Sequence, residues 1–150
     1  MENYVNILSL NVAMSSSLAG LQSLISTNQL DLIFLQEVKL STEQINILVN
    51  KIGFQSQSNI DENTPSRPGT AVIWRNGFPI ENVINIVLCR VQAIVIGSFV
   101  FFNVYAPSGA DRRRERETFF SSDIFNSFGI FPDHNYVLAG DLTAASVLWM

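Results

Sequence analysis

The sequence predicts a mixed α/β domain in which helices pack on β-sheets. Two strand–helix units open the chain, a run of four strands follows, and a helix and a last strand come at the end. Because a doubly wound sheet would alternate strands and helices throughout, this order favours a layered sandwich of sheets and helices. The chain has 150 residues, of which 47% are hydrophobic and only 15% charged, so it is globular rather than disordered.

The first half of the chain alternates strands and helices. Residues 5–11 (VNILSLN) predict a first strand, and the serines at 15–17 are suitable N-caps for a helix that follows. Residues 30–37 (LDLIFLQE) form a continuous apolar run, which is typical of a strand buried on both faces. Ser41 and Gln44 fit a capping box that starts a second helix. The apolar stripe of this second helix consists of Ile45, Leu48, Val49 and Ile52.

The second half contains most of the predicted strands. Residues 55–67 are polar and predict a loop, and Asn76-Gly77 predicts a hairpin-type turn. Residues 111–126 predict a charged amphipathic helix, and residues 135–140 predict a last strand that leads into Asp141. The strands between the loop and this helix are predicted at residues 70–75, 80–88, 90–96 and 99–105. The inward-facing aromatic residues of the helix are predicted to be Phe119, Phe120 and Phe125.

Charge and composition limit the possible partners. The net charge of −4 argues against a protein that holds nucleic acid by bulk positive charge. Four arginines nevertheless crowd into the five positions 112–116, so any attraction for phosphate is local. Cys89, the only cysteine, excludes an internal disulfide and a multi-cysteine zinc site, and its apolar surroundings favour a small buried side chain.

The sequence shows no sign of export or membrane insertion. Its first residues lack the basic segment and the long apolar segment of a signal peptide. The longest apolar stretch, residues 91–104, is interrupted by polar residues. We therefore expect an intracellular protein without a membrane partner.

Polar residues stand at the ends of four predicted strands: Asn11, Glu37, Tyr105 and Asp141. Because open sheets bind ligands at strand ends, these residues are candidates for one site. Glu37 and Asp141 offer the hard oxygen ligands that Mg²⁺ takes, and a metal held there polarises a phosphodiester while a carboxylate orients the attacking water. Asn11 and Tyr105 can donate hydrogen bonds to phosphoryl oxygens. The strand ends therefore predict a metal-dependent phosphoryl-transfer site.

Each of these residues also has a structural interpretation when it is taken alone. Asn11 and Asp141 can cap a turn or the segment that follows, and Glu37 can be the first solvated residue after a strand. Tyr105 can be a core aromatic residue with its hydroxyl at the surface. The functional interpretation depends on the four residues occurring together.

Five segments, read together, resemble the endonuclease/exonuclease/phosphatase superfamily over residues 5–143. These segments are ILSLNVAM (7–14), DLIFLQEV (31–38), GTAVIWR (69–75), FFNVYAPSG (101–109) and VLAGDLTA (137–144). They occur in the family's order. The resemblance implies a DNase I-like fold, a four-layer α/β sandwich with its site at the top of the paired sheets.

The resemblance also implies a role for each strand-end residue. Asn11 matches the asparagine that helps to bind metal or phosphate. Glu37 matches the metal-binding glutamate, with Mg²⁺ as the expected cofactor and Mn²⁺ as an alternative. Tyr105 matches the tyrosine that contacts the scissile phosphate. Asp141 matches the aspartate of the family's GD-x-N motif, which orients or deprotonates the attacking water.

Within this apurinic-endonuclease-like superfamily, YAPSG followed by an arginine-rich helix and ERETFF looks most like the endonuclease domain of non-LTR retrotransposons. That resemblance implies a DNA-nicking enzyme that works in the nucleus and shares a parent polyprotein with a reverse transcriptase domain. Arg116 is the arginine of this helix that we expect over a substrate phosphate. The other interpretation of the run RRRERE is a solvated helix face with internal Arg–Glu pairs.

Two departures from the family pattern bear on activity. Thr143 stands at the catalytic position where GD-x-N has asparagine, and loss of one such donor lowers a rate on the order of a hundredfold. The family's C-terminal Ser-Asp-His type element has no counterpart, and the only histidine, His134, lies in a loop before the last strand. We interpret residues 1–150 as the N-terminal portion of a single domain, incomplete at its C-terminus, whose activity stays open. The alternatives are a phosphatase of small or lipid phosphate esters, and a non-catalytic remnant or binding module.

Overall fold

The computed structural model of the chain describes residues 4–13 and 18–142. It contains two four-stranded sheets of mixed direction. In spatial order, the first sheet consists of β1 (Ile7–Asn11), β2 (Leu32–Val38), β4 (Gly69–Arg75) and β3 (Phe54–Asn59). The second sheet consists of β5 (Asn82–Val87), β6 (Val91–Ile96), β7 (Phe99–Tyr105) and β8 (Asn135–Asp141). The pairs β1–β2 and β7–β8 are parallel and the others antiparallel.

Helices cover the outer faces of both sheets. The first sheet is covered by α1 (Leu18–Thr27) and α2 (Thr42–Asn50). The second sheet is covered by a helical segment, residues 110–129. That segment consists of a 3₁₀ turn (Ala110–Arg112), α3 (Arg113–Thr118), a π-helix (Phe119–Ile124) and α4 (Phe125–Gly129). Within the described parts of the chain, every helix is too short or too polar to cross a lipid bilayer.

Three hydrophobic cores separate the layers, and β2 shows how one strand serves two of them. Ile33 and Leu35 of β2 face the helices α1 and α2, whereas Phe34 faces the second sheet. This alternation follows from the two-residue period of a strand. The third core lies between β6, β7 and the helical segment, with Phe102 at its centre. The order helix, sheet, sheet, helix confirms the predicted four-layer sandwich.

The capping box predicted at the start of α2 is present. The Ser41 side chain accepts from the backbone N–H of Gln44 at 3.1 Å, and the Gln44 side chain accepts from the backbone N–H of Ser41 at 2.9 Å. Each bond satisfies a backbone donor that the helix itself leaves unpaired, so the box stabilises this end by about 1 kcal/mol. Short-range chemistry of this kind is readable in the sequence because both partners lie within one turn.

The prediction of a loop over residues 55–67 was wrong for its first part, which is the strand β3 (Phe54–Asn59). The pattern FQSQSN lacks the apolar alternation of a strand, but β3 pairs with β4 along its whole length. Its polar side chains also have partners across the sandwich: the Gln57 amide donates to the carbonyl of Val83 at 3.1 Å. The strand therefore depends on distant partners that local sequence does not reveal.

The prediction of a hairpin at Asn76-Gly77 was also wrong. These residues do form a turn, with the N–H of Phe78 donating to the carbonyl of Arg75 at 3.0 Å. The strands on either side, β4 and β5, belong to different sheets and do not pair. The turn instead carries the chain from the first sheet to the second.

One inward-facing aromatic residue of the helical segment was predicted wrongly. Phe119 is buried and Phe120 packs on the core, but Phe125 is 71% exposed. Ile124 and Phe128, four residues apart, occupy the face toward the sheet. Because successive helical residues are about 100° apart, Phe125 points away from that face.

Buried amide side chains tie the two sheets together below the site. Asn103 of β7 accepts from the Gln36 amide of β2 at 2.9 Å. Its own amide donates to the carbonyls of Leu35 and Ala71 at 3.2 and 3.1 Å. Both amide side chains are at most 1% exposed, so each bond is made in a low-dielectric interior where an unpaired group is costly. These bonds fix the position of one sheet over the other.

Candidate active site

The ends of β1, β2 and β8 bring together three of the predicted site residues. The Asn11 amide nitrogen donates to a Glu37 carboxylate oxygen at 3.0 Å and to an Asp141 carboxylate oxygen at 2.7 Å. Asn11 and Glu37 belong to the first sheet, whereas Asp141 belongs to the second. One carboxamide therefore joins two carboxylates across the sandwich.

The other atom of the Asn11 amide group is also engaged. Its oxygen accepts from the backbone N–H of Ala13 at 3.0 Å, which closes a turn directly after β1. This bond turns the NH₂ group toward the two carboxylates, where each of its hydrogens has an acceptor. The structure thus assigns Asn11 a positioning contact with both acids; its role as a metal ligand stays a prediction.

An irregularity in β2 directs Glu37 into this cluster. Leu35 and Val38 both face the helices, although they are three residues apart, and the pairing with β4 shifts register between them. Glu37 lies in this bulge with a φ of +53°, a left-handed conformation that is uncommon for residues other than glycine. In a regular strand, successive side chains point to opposite faces of the sheet, and the extra residue of the bulge interrupts this alternation at Glu37. Its carboxylate reaches Asn11 for that reason.

A close approach of two strands fixes Asp141. Gly140 has a φ of +118°, and a Cβ atom at this position would lie 2.1 Å from the carbonyl oxygen of Val104. No side chain fits there, so β8 runs against β7 only with glycine before the aspartate. The Asp141 carbonyl then accepts from the N–H of Ala106 at 3.0 Å. Position 140 therefore requires glycine for steric reasons.

Tyr105 is the fourth predicted residue, and it lies opposite Asp141 in the pairing of β7 with β8. Burial raises the pKa of its phenol above the ordinary value of 10, and the negative charges of Glu37 and Asp141 add to that rise. The positive charge of Arg90 acts in the opposite direction on the same pKa. The Tyr105 hydroxyl therefore stays protonated at neutral pH and is available as a hydrogen-bond donor.

Arg90 is a residue of the site that the sequence analysis missed. Its guanidinium lies 4.7 Å from the centroid of the Tyr105 ring and donates to the Tyr105 carbonyl at 3.1 Å. The Tyr105 N–H donates in turn to the Arg90 carbonyl at 2.8 Å. Arg90 is 9% exposed, and burial lowers its pKa. The sequence did contain one indication of Arg90, a single arginine between two apolar strands. The neighbouring Cys89 is buried, as predicted.

The donor set of this cluster fits a hard divalent cation. Glu37 and Asp141 bring two carboxylates together, and Mg²⁺ sites commonly use one or two carboxylates with water and substrate phosphate completing the shell. Among residues 4–13 and 18–142, no group of three or more His, Cys, Asp or Glu side chains forms a metal cluster. An ion held here would therefore take most of its ligands from water and substrate.

Two other residues named in the sequence analysis, Arg116 and His134, lie outside this cluster. The Arg116 guanidinium donates to the carbonyls of Pro107 and Gly109 at 3.3 and 3.1 Å, so it anchors the loop after β7; its contact with a phosphate stays a prediction. Thr143 lies outside the described residues, as do the serines at 15–17. His134 precedes β8, at the opposite end from Asp141, and its ring packs edge-on against Phe131.

Solved structures share this fold at low sequence identity. The 3′ phosphatase NExo from Neisseria, bound to a product DNA hairpin, superimposes with a TM-score of 0.74 at 19% identity, over 92% of this chain and 57% of that chain. An AP endonuclease from Archaeoglobus fulgidus gives a TM-score of 0.70 at 16% identity, over 95% and 58%. TDP2 from D. rerio, complexed with a single-strand DNA product, gives 0.61 at 17%, over 92% and 60%.

The chain spans between 57% and 60% of the length of these three proteins. No curated protein matches it at a significant level. The Endonuclease/Exonuclease/phosphatase family, however, matches the chain over residues 8–144, which includes every residue of the cluster around Asn11. The chain therefore belongs to the Endonuclease/Exonuclease/phosphatase family and has its DNase I-like fold.

Proposed function

We propose that this chain is the N-terminal portion of a divalent-metal-dependent phosphodiesterase domain that nicks DNA, as the endonucleases of non-LTR retrotransposons do. The observation that carries the proposal is the Asn11 amide, which holds the carboxylates of Glu37 and Asp141 together beside Tyr105. Family membership supports phosphoester chemistry. The named similar structures support DNA as substrate, because two of them contain a DNA product.

The residues divide the chemistry between them. Glu37 would hold Mg²⁺ or Mn²⁺, together with water and substrate, and the bound ion would supply positive charge to the phosphodiester. Asp141 orients the attacking water and accepts its proton. The protonated Tyr105 hydroxyl donates to a phosphoryl oxygen as negative charge grows on it. Asn11 keeps the two carboxylates at a fixed separation, so that each can take its own role.

Removal of the Glu37 charge tests this function. We expect the complete domain, of which this chain is proposed to be the N-terminal portion, to nick supercoiled plasmid with Mg²⁺ and to stop in EDTA. Glu37→Gln in that domain should lower the nicking rate at least about a hundredfold. Glu62→Gln, which removes the charge of an exposed loop residue, is the matched control and should keep the wild-type rate. Nicking that persists in Glu37→Gln or in EDTA would disprove the proposal. Release of inorganic phosphate without a nick would favour a phosphatase instead.

A second measurement separates metal binding from turnover. Mg²⁺ that binds the folded state raises the unfolding temperature, so a thermal melt with and without Mg²⁺ should show a shift in the wild type. The shift should be absent in Glu37→Gln and present in Glu62→Gln. Equal shifts in both variants would place the metal elsewhere.

The retrotransposon assignment extends to the cellular context. The support is the YAPSG segment followed by the arginine-rich helix. On this proposal the domain acts inside the cell, in the nucleus, and its parent polyprotein also contains a reverse transcriptase. A reading frame that continues downstream into a reverse-transcriptase pattern would support the assignment, and a different downstream domain would oppose it.

A further inference from the structure

Gln36, the residue before Glu37 in β2, is bound on several sides. It is 1% exposed, and its side chain lies between the two sheets. The amide nitrogen donates to the Ser9 hydroxyl at 3.1 Å, to the Phe34 carbonyl at 3.2 Å and to the Asn103 side-chain oxygen at 2.9 Å. Because an amide nitrogen carries two hydrogens, these three acceptors share them. The side chain is therefore fixed from β1, β2 and β7 at once.

The backbone of Gln36 also holds the end of β1. The Gln36 carbonyl accepts from the N–H of Val12 at 3.0 Å, and Asn11 lies opposite Gln36 in the parallel pairing of β1 with β2. Asn11 is the residue whose amide joins the two carboxylates of the site. Gln36 thus lies between the strand that ends at Asn11 and the bulge that contains Glu37.

The backbone at Glu37 requires a restraint that β4 does not supply. Its φ of +53° lies in the left-handed region, where a residue with a side chain stays only when the surrounding structure holds it. The pairing of β2 with β4 shifts register between Leu35 and Val38, so Gln36 and Glu37 have no partner residues on β4. The side-chain bonds of Gln36 are therefore the nearest contacts that fix the bulge.

We propose that Gln36 is a positioning residue of the candidate site. Bound between the two sheets, its side chain keeps the backbone of Glu37 in the left-handed conformation that presents the carboxylate to Asn11 and to a divalent cation. The part that concerns the cation rests on the proposed function, whereas the conformational part rests on the contacts of Gln36 alone. Gln36 lies beneath the site and acts through Glu37. Groups that orient a metal ligand in this way change metal affinity by about ten- to a hundredfold.

Gln36→Met and Gln92→Met form a matched pair of variants. Gln92 is a buried amide of β6, and its nitrogen donates to the Gln57 carbonyl and to the Asn85 side-chain oxygen at 3.0 Å each. Within the described part of the chain, the side-chain bonds of Gln92 go to β3, β5 and β7 rather than to β2. Methionine keeps the length of either side chain and removes its donors. Both variants should therefore lower the unfolding temperature by a few degrees, because buried groups lose their partners.

The affinity for Mg²⁺ separates the two variants. We would titrate Mg²⁺ by calorimetry into the complete domain used for the nicking assay. Gln36→Met should raise the apparent Kd for Mg²⁺ about tenfold or more, and Gln92→Met should leave it at the wild-type value. Equal values in the two variants would overturn the inference, because Gln36 would then act only as a residue of the interior.

A second comparison tests the backbone conformation and needs neither metal nor substrate. Glu37→Gly and Glu37→Ala both remove the carboxylate, so they differ only in their preference for the left-handed region. With Gln36 in place, the glycine variant should have the higher unfolding temperature, because alanine is strained at a positive φ. In the Gln36→Met background, where that conformation is no longer imposed, this advantage of glycine should disappear.

The two measurements fail in different ways. An equal advantage of glycine in both backgrounds would overturn the role of Gln36, whatever the domain does with Mg²⁺ or DNA. If the advantage depends on Gln36 but the wild-type domain binds no Mg²⁺, the positioning of Glu37 stands and the proposed metal-dependent function is rejected.

Discussion

At the scale of single residues, Asn11 holds together two groups that would otherwise repel each other. Glu37 and Asp141 are acidic side chains on different sheets, and like charges repel each other when they approach. The Asn11 amide gives each carboxylate a hydrogen-bond donor, at 3.0 and 2.7 Å. The amide therefore holds the two acids close together, which is the arrangement that a divalent cation would use.

The pKa of Tyr105 gives a testable pH dependence. Because the folded protein raises this pKa above 10, the folded state binds the phenolic proton more tightly than the unfolded state does. This contribution to stability is fully present below pH about 10 and is lost as pH rises through the folded pKa. A titration of tyrosinate absorbance in the wild type and in Tyr105→Phe should assign to Tyr105 a step above pH about 10. A step below that pH would contradict the environment described here.

At the scale of secondary structure, the contact between β7 and β8 makes a sharp prediction. Gly140→Ala places a Cβ atom 2.1 Å from the Val104 carbonyl oxygen at a φ of +118°, so β8 must move and Asp141 with it. We expect a loss of about 1–3 kcal/mol or more in the free energy of unfolding, measured in urea, and a lower nicking rate. Gly129→Ala is the control, because its Cβ would have no neighbour within 4 Å. Equal effects of the two substitutions would refute the steric argument.

The elements that the sequence predicted correctly depend on short-range patterns. The capping box of α2 needs only Ser41 and Gln44, and the buried run of β2 is apolar by itself. By contrast, β3 becomes a strand only because β4 pairs with it, and its polar residues find partners on the second sheet. The same distinction explains why the predicted inward orientation of Phe125 was wrong. Ile124 and Phe128 occupy the helix face that packs on the sheet, and Phe125 lies on another face.

The candidate site also contains features that short-range sequence patterns predict and features that depend on distant contacts. Asn11, Glu37 and Asp141 were found because each ends an apolar strand, and the order of the strands brings them together. The bulge at Glu37 was not predictable, since it depends on the register of β2 against β4. Arg90 was not predictable either. It contacts Tyr105 only because the start of β6 lies beside the end of β7 in the folded sheet.

At the scale of the whole molecule, the site depends on the position of one sheet over the other, because its residues come from both sheets. Asn103→Leu tests this, because it removes the hydrogen bonds to Gln36 and to two buried carbonyls between the sheets. We expect a loss of about 1–3 kcal/mol in the free energy of unfolding, from groups left unpaired in the interior. Asn82→Leu, on the exposed start of β5, should change it little. A thermal melt of the two variants against wild type gives the comparison, and similar stabilities would show that the amides do not tie the sheets together.

The left-handed backbone at Glu37 sets stability against function at one position. Glycine or asparagine adopts that conformation more readily than glutamate, and relief of such strain is worth on the order of 1 kcal/mol. A laboratory screen that selects only for resistance to heat would therefore favour replacement of Glu37. The more durable protein obtained in that way would lack the carboxylate on which the proposed chemistry depends.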